Sequence, residues 1–478
     1  MSGILIAGTS SDAGKSLIVT GLCRAARRRG IDVVPFKAQN MSNNSMVCAD
    51  GAEIGRAQYL QAAAAGVEPS SALNPVLLKP GTDRRSFIVL RGRPSGTLEA
   101  GQYATGRAVL AKAAWAAYSE LAAGHELVIC EGAGSPAEIN LRVGDYTNMG
   151  LARRFNLPVV VVGDIDRGGV LASIYGTWAL LDDADRELLE GYLINKFRGD
   201  AGILAPGLDE ISRRTGLRNF GVLPFLADVW LDGEDSLTVG RWRPNSTSED
   251  LRVAVVRLPR VSNSTDIDAL AFEPDVSVEV TTDPKICERA DLLVLPGSRA
   301  TVDDLAWLRE RGIAEVISKR ARQNQPILGI CGGYQMLAER IDDEHESRAG
   351  AVAGLGLLPV HVEFGADKVT SLTAGSWRNV PAGGYEIHHG IMSWTAEPDE
   401  VFLDGGRVGQ IWGTMWHGAF ERDEFRRVFL SEIAATTGSS WQPSRTPGFA
   451  AAREAMIDRL ADSLEENCDV SGLLELAR

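Results

Sequence analysis

Ile4-Leu-Ile-Ala-Gly-Thr-Ser-Ser-Asp-Ala-Gly-Lys-Ser16 decides how the first half of this 478-residue chain folds. Ile4–Ala7 reads as a short buried strand, Gly8 to Ser16 as a loop, and the apolar stretch Leu17–Arg29 as a helix. Backbone N–H groups of such a loop, ahead of a helix N-terminus, converge on phosphate oxygens. Lys15 adds a point charge, and Ser16 offers an oxygen to Mg²⁺. Thr9, Gly14, Lys15 and Ser16 are therefore candidate nucleotide-binding residues. Five residues separate Gly8 from Gly14, where the strict pattern has four, yet the strand–loop–helix context and terminal Gly-Lys-Ser are what phosphate binding requires.

Outward from this loop, β-branched runs recur at Leu127–Cys130, Pro158–Val162 and Tyr192–Ile194, separated by amphipathic or Ala-rich stretches. Such alternation implies a parallel sheet with helices on both faces. Leu127-Val-Ile-Cys-Glu131-Gly-Ala-Gly carries one acid from an apolar strand into a glycine turn, where a nucleotide's metal is commonly held. Ser16 and Glu131 are expected on Mg²⁺, with Asp50 as a further acid and Glu53, Asp164 and Asp166 as competitors. Lys37-Ala-Gln-Asn-Met-Ser-Asn-Asn-Ser45 suits a polar surface that reads phosphate, carboxylate or amide groups, and Lys37 is assigned to the nucleotide. Asn195-Lys196 is placed to contact the base.

Residues 238–250 hold turn formers and mixed charge without a period, and read as a linker. A second series of strands follows, at Arg252–Val256, Leu292–Leu295, Pro326–Ile330 and Val408–Trp412. The expected architecture is α/β in two domains, a phosphate-loop domain over 1–237 and a second over 251–440. A helical extension is expected over 441–478, and its stretch Arg453–Leu464 is expected to pack on the second domain.

In that domain Pro326-Ile-Leu-Gly-Ile-Cys331-Gly-Gly-Tyr-Gln-Met-Leu sets a cysteine between a buried strand and an apolar helix. Glycines permit a strained turn, the helix N-terminus favours the thiolate, and the Gly332 amide faces the place where an oxyanion would form. Gly297, in Leu295-Pro-Gly-Ser, offers a second amide, and Gln335 lies one helical turn past the cysteine. Of six histidines, His417 stands at the end of a strand-like run and is chosen for proton transfer, with Glu421 as a possible orienting partner. His388 and His389 read as shaping a loop or a domain contact.

Composition narrows the function. The formal charge is −14, and residues 1–240 carry 24 basic against 26 acidic side chains, so a basic footprint for nucleic acid is missing. Six cysteines without a CxxC pair suggest a reducing, cytoplasmic setting rather than a disulfide framework or zinc site. The start of the chain lacks the basic and cleavage features of a signal peptide. The densest apolar stretch, around Leu157–Val162, is far below the roughly 18 residues of a membrane span.

These motifs carry a resemblance. Residues 251–420 resemble class I glutamine amidotransferase domains through Pro296-Gly297-Ser298, Gly329-Ile-Cys331-Gly-Gly-Tyr-Gln335 and His417-Gly418. Residues 1–235 resemble the dethiobiotin-synthetase-like phosphate-loop fold, whose loop has the same extra residue. With Ala38-Gln-Asn-Met-Ser-Asn-Asn44, Glu53-Ile-Gly-Arg-Ala-Gln58, Glu131-Gly-Ala-Gly-Ser-Pro-Ala-Glu-Ile-Asn140 and Asp164-Ile-Asp-Arg-Gly-Gly169, the chain is similar to the cobyric acid synthase family over nearly its full length. That resemblance implies amidation of the b, d, e and g carboxylates of adenosylcobyrinic acid a,c-diamide, with ATP, Mg²⁺ and glutamine. Arg84, Arg85, Arg91 and Arg93 would then be available to the corrinoid polycarboxylate. The family's relative that amidates the a and c carboxylates, and a phosphate-loop regulatory ATPase with a non-catalytic second domain, are the alternatives. His417 is followed by Gly418-Ala419 rather than the usual x-Glu, so a Cys–His dyad is expected.

Overall fold

The computed structural model describes residues 2–81, 85–99, 103–227, 229, 250–444 and 448–478. The expected linker at 238–250 lies outside them except for Asp250, and so does Arg84.

Six parallel strands form the first sheet, in the order Arg218–Pro224, Leu189–Phe197, Val159–Asp164, Gly3–Gly8, Leu127–Glu131 and Val33–Phe36. Gly3–Gly8, Leu127–Glu131 and Val159–Asp164 are fully buried, which explains their apolar runs: both faces are covered by helices. Gly3–Gly8 lies between Leu127–Glu131 and Val159–Asp164. The phosphate loop, Glu131 and Asp164 therefore emerge side by side from one edge, where α/β sheets bind ligands.

The polar segment that begins at Lys37 is not a solvated loop. It forms the strand Gln39–Met41 of a small four-stranded sheet with Val76–Pro80, Arg85–Leu90 and Arg93–Glu99, then the hairpin Ser45–Val47 with Glu53–Gly55. Gln39, Asn40, Asn44, Ser45, Glu53 and Gln58 are buried. Their polarity serves an internal hydrogen-bond network, because burial without partners costs several kcal/mol, roughly 2–7 per group.

The second sheet has seven strands, in the order Val276–Thr281, Leu251–Val256, Leu292–Leu295, Ile327–Ile330, Ile411–Thr414, Gly405–Val408 and Glu400–Phe402. The first five are parallel and the last two antiparallel. A four-stranded sheet built on the long hairpin Val360–Trp377 and Val380–Trp394 flanks it. The two-domain α/β architecture agrees with the sequence.

The tail departs from the expectation in part. Helix Phe449–Asn467 starts on the second domain, where Phe449 enters the core beside Phe272, and from there runs along helix Lys15–Arg28 of the first domain. Ile457, Ala461 and Leu464 enter one apolar cluster with Ile18, Val19 and Leu22. Arg24 pairs with Glu454 and Asp458, Arg28 with Asp458 and Asp462, and Arg29 with Glu465. The acidic face of the tail thus matches the arginine face of the first helix. At the closest approach, a Cβ on Gly21 would stand 2.4 Å from Leu464 Cδ1 and 3.2 Å from the Leu460 carbonyl. Gly21→Val should therefore loosen the tail and cost about 1–3 kcal/mol through overpacking. A lowered melting temperature with faster tryptic cleavage within 450–467 would show it; an unchanged melt would mean the helix pair is not tightly docked.

Candidate active site

Two centres are built from these sheets. In the first, Asp12 and Gly14 take positive φ values of 58° and 97°, which bend the loop into the N-terminus of helix Lys15–Arg28. Gly14 has a second reason to be glycine: a Cβ there would lie 2.0 Å from Asn195 Nδ2. Asn195 is buried and donates to the Ala13 carbonyl at 3.0 Å, and Lys196 donates to the Asp12 carbonyl at 2.6 Å. These two residues, expected at the base, brace the phosphate loop from behind.

Lys15 Nζ donates to the carbonyls of Ser10, at 3.0 Å, and Gly134, at 3.2 Å, so it spans the mouth of the loop. Thr9 continues the sheet, its N–H donating to the Val162 carbonyl at 2.9 Å. Glu131, at 1% exposure, collects three side chains: Ser16 Oγ and Lys37 Nζ at 2.8 Å on Oε1, and Gln61 Nε2 at 2.6 Å on Oε2. Ser16 and Glu131 thus present adjacent oxygens beside the loop. Mg²⁺ typically takes one or two protein oxygens and fills its remaining positions with water and phosphate, so this pair fits the ion. No group of three or more potential metal-ligating side chains exists among the described residues.

The other acids go elsewhere. Asp50, expected on the metal, instead sits in the exposed turn of the Ser45–Gly55 hairpin, accepting from the Ala52 N–H at 2.9 Å with Arg93 on its carbonyl. Asp164 pairs with Lys196 at 2.7 Å, and Asp166 with Arg198 at 2.9 Å. Glu53 is wholly buried between Lys79, at 2.6 Å, and Lys368 of the second domain. Burial opposes its charge, but the two lysines hold its carboxyl well below the usual range.

In the second centre, Cys331 has φ 49° and ψ −110° between strand Ile327–Ile330 and helix Gly332–Leu337, the strained turn that the glycines allow. His417 is fully buried, and its Nδ1 donates to Asp266 Oδ2 at 2.7 Å. The other Asp266 oxygen accepts from the Gly418 N–H at 2.5 Å. Burial disfavours the imidazolium, yet the neighbouring Cys331 and Asp266 outweigh it and raise the His417 pKa to about 10. Nδ1 is thereby committed to orientation and Nε2 remains for proton transfer.

Asp266 replaces two expectations at once. The arrangement is a triad rather than a dyad, and Glu421 is not the orienting acid, because it pairs with Arg56 at 2.7 Å and Arg453 at 2.9 Å. A Cβ on Gly297 would come 2.8 Å from His417 Cε1, so the Pro-Gly-Ser turn must be glycine for the imidazole to reach the cysteine. The Ser298 amide nitrogen stands 2.7 Å from the ideal Cβ position of Gly332, so Ser298 joins Gly297 and Gly332 as an amide near the thiol. Gln335 accepts from Thr301 Oγ1 at 2.9 Å. Cys331, Gln335, Ser298 and Thr301 line one recess together with His388 and His389. Those histidines are thus part of the wall. Burial draws His388 down to about 4, so it is neutral at pH 7.

A raised folded pKa keeps the His417 imidazolium through neutral pH and loses it as pH rises through about 10. Asp266→Asn removes one of the two raising charges. Glutamine hydrolysis by this variant should fall by about 10²–10⁴, with its alkaline limb moved to lower pH. An unmoved limb in the pH profile of kcat/KM would remove Asp266 from the triad.

The centres are joined by covalent chain. Lys37 touches Glu131; eight residues later, Ser45 N–H donates to Asn263 Oδ1 at 2.9 Å, while Asn44 Oδ1 accepts from the Ser264 N–H at 3.1 Å. Asn263 and Ser264 begin the turn that presents Asp266. One sequence signal for this acid existed, an Asn-Ser-Thr-Asp run after the first strand of the second domain. The side chains it pairs with lie too far along the chain for spacing to reveal them.

Two domain families match. Residues 4–239 match the CobQ/CobB/MinD/ParA nucleotide binding domain, and residues 252–425 match the CobB/CobQ-like glutamine amidotransferase domain. A cobyric acid synthase of Cutibacterium acnes is 67% identical, with 100% of both chains covered. That of Mycolicibacterium gilvum is 54% identical over 100% of this chain and 97% of its own. No helix among the described residues is long and apolar enough to cross a membrane. With both domains matched in order and most residues shared end to end with one member, this chain belongs to the cobyric acid synthase family.

Proposed function

We propose that the protein amidates the b, d, e and g carboxylates of adenosylcobyrinic acid a,c-diamide, using ATP for activation and glutamine as the nitrogen source. The observation that carries this reading is the pairing of a phosphate loop with a Cys331–His417–Asp266 centre in one chain, linked by the Lys37–Ser45 segment. A carboxylate is a poor acyl donor. Transfer of the γ-phosphoryl group of ATP to a carboxylate oxygen gives an acyl phosphate and ADP, and ammonia then displaces phosphate to leave the amide.

The transferred charge is met by Lys15, the loop amides and the N-terminus of helix Lys15–Arg28. Ser16 and Glu131 would hold Mg²⁺, which neutralises phosphate charge when bound. Lys37, 2.8 Å from Glu131 Oε1, orients that carboxylate. In the second centre the Cys331 thiolate attacks the glutamine carboxamide carbon, and amides among Gly297, Ser298 and Gly332 receive the oxyanion. His417 gives its proton to the leaving ammonia, and water then hydrolyses the thioester to glutamate. Ammonia is largely protonated in neutral water, so transfer between centres must be sheltered.

Mass spectrometry of a cobyrinic acid a,c-diamide derivative incubated with the protein, MgATP and amide-¹⁵N glutamine tests this. Four successive amidations carrying label are expected. No mass change on the a,c-diamide, whether or not cobyrinic acid itself is amidated at its a and c carboxylates in a parallel assay, would overturn the assignment of substrate.

A further inference from the structure

The recess at Cys331 contains more charge than cleavage of an amide needs. A carboxamide delivered to the thiol carries, two methylenes and a Cα away, an ammonium and a carboxylate that enter the same recess. Charges withdrawn from water need specific partners. Among the recess-lining residues, Glu346 is the one carboxylate. Of the cationic side chains there, Lys79 and Lys368 are both committed to the buried Glu53, which leaves Arg299.

Glu346 and Arg299 form an ion pair with each other, and their side chains are 14% and 11% exposed. They are shielded but reachable. Both are held from behind. Buried Asp343 accepts the backbone N–H groups of His345, Glu346 and Ser347 at 3.1, 2.8 and 2.9 Å, which pins the turn carrying Glu346. The Arg299 guanidinium lies 3.8 Å above the ring of Phe87, on strand Arg85–Leu90 of the phosphate-loop domain. Arg85 of the same strand donates to the Glu346 carbonyl at 3.3 Å.

We infer that Glu346 and Arg299 are the subsite for the α-ammonium and α-carboxylate of glutamine, completed by Phe87 from the other domain. This rests on the glutaminase reading of Cys331 and His417. A zwitterion entering the recess replaces one ion pair by two: the ammonium takes Glu346 and the carboxylate takes the planar fork of Arg299. No charge is left without a partner. An amide that has the carboxylate but not the ammonium, such as glutaric acid monoamide, draws Arg299 away and leaves Glu346 unpaired, so the subsite rejects it. Phe87 gives the phosphate-loop domain a direct hold on glutamine affinity.

The full-length protein with Glu346→Gln tests this, by ammonia release from glutamine and from glutaric acid monoamide. The expected result is a fall of about 10–100-fold in kcat/KM for glutamine, carried by KM, with the monoamide little changed, so that the preference between them collapses. Glu346→Asp, which keeps the charge, should retain part of the preference, and a melting temperature near that of the wild type shows that the fold stands. Phe87→Ala should raise KM for glutamine although it lies in the other domain. Wild-type preference preserved in both Glu346 variants would overturn the subsite alone. A wild-type protein that released no ammonia from glutamine would overturn the glutaminase reading, and the subsite with it.

Discussion

Cys331→Ser should abolish amidation driven by glutamine, by on the order of 10³-fold or more, because a serine hydroxyl at neutral pH is a far weaker nucleophile than a thiolate. Amidation supplied with ammonium salts should survive, and should improve as pH is raised and free ammonia increases. The exchange is nearly isosteric at a residue that is 5% exposed, so the turn at φ 49° should persist. Assays with glutamine and with ammonium chloride, read by amide formation on the corrinoid, separate the two activities. Ammonium that rescued nothing would mean that the second centre does more than release ammonia, and the division of labour between domains would have to be abandoned.

Lys15→Ala should have the opposite pattern. Loss of the charge that meets the transferred phosphoryl group should lower ATP-dependent amidation by on the order of 10²–10³-fold with either nitrogen source. Glutamine hydrolysis should continue, since Cys331, His417 and Asp266 all lie in the second domain. Lys15 also ties the Ser10 and Gly134 carbonyls together, so the variant is to be compared by melting temperature before its kinetics are read. Full amidation by this variant would remove the phosphate loop from the chemistry. Complete loss of glutamine hydrolysis in a folded variant would instead show that the Lys37–Ser45 connection makes the second centre obey the first.

Some of this was open to reading along the chain. The phosphate loop and the cysteine turn each occupy a dozen consecutive residues, and their physics is local: a strand, a turn that only certain residues permit, and a helix whose N-terminus faces the ligand. Glu131 was readable for the same reason, as an acid at the end of an apolar strand. Asp266 was not. It meets His417 across 151 residues, in a contact set by how the first and fifth parallel strands of the second sheet place their ends. The histidines at 388 and 389 lacked any local sign that the long hairpin folds over the cysteine.

Polarity misled where burial reversed its meaning. Asn44, Ser45 and Glu53 read as part of a polar surface for a ligand, yet they are buried where the second domain meets them, and only there do Asn263, Ser264 and Lys368 become their partners. The tail shows the same limit: its helical period was plain, but an apolar face with acids beside it does not say which helix receives it. Matching arginines at 24, 28 and 29 decided that in the folded chain. The sequence by itself determined the elements and the two reactive motifs, because backbone sterics and hydrophobic period act over a few residues. Tertiary structure alone decided the acid that meets His417, the domain contact and the ion pair in the recess at Cys331, because a buried charge takes its role from partners brought to it from distant parts of the chain.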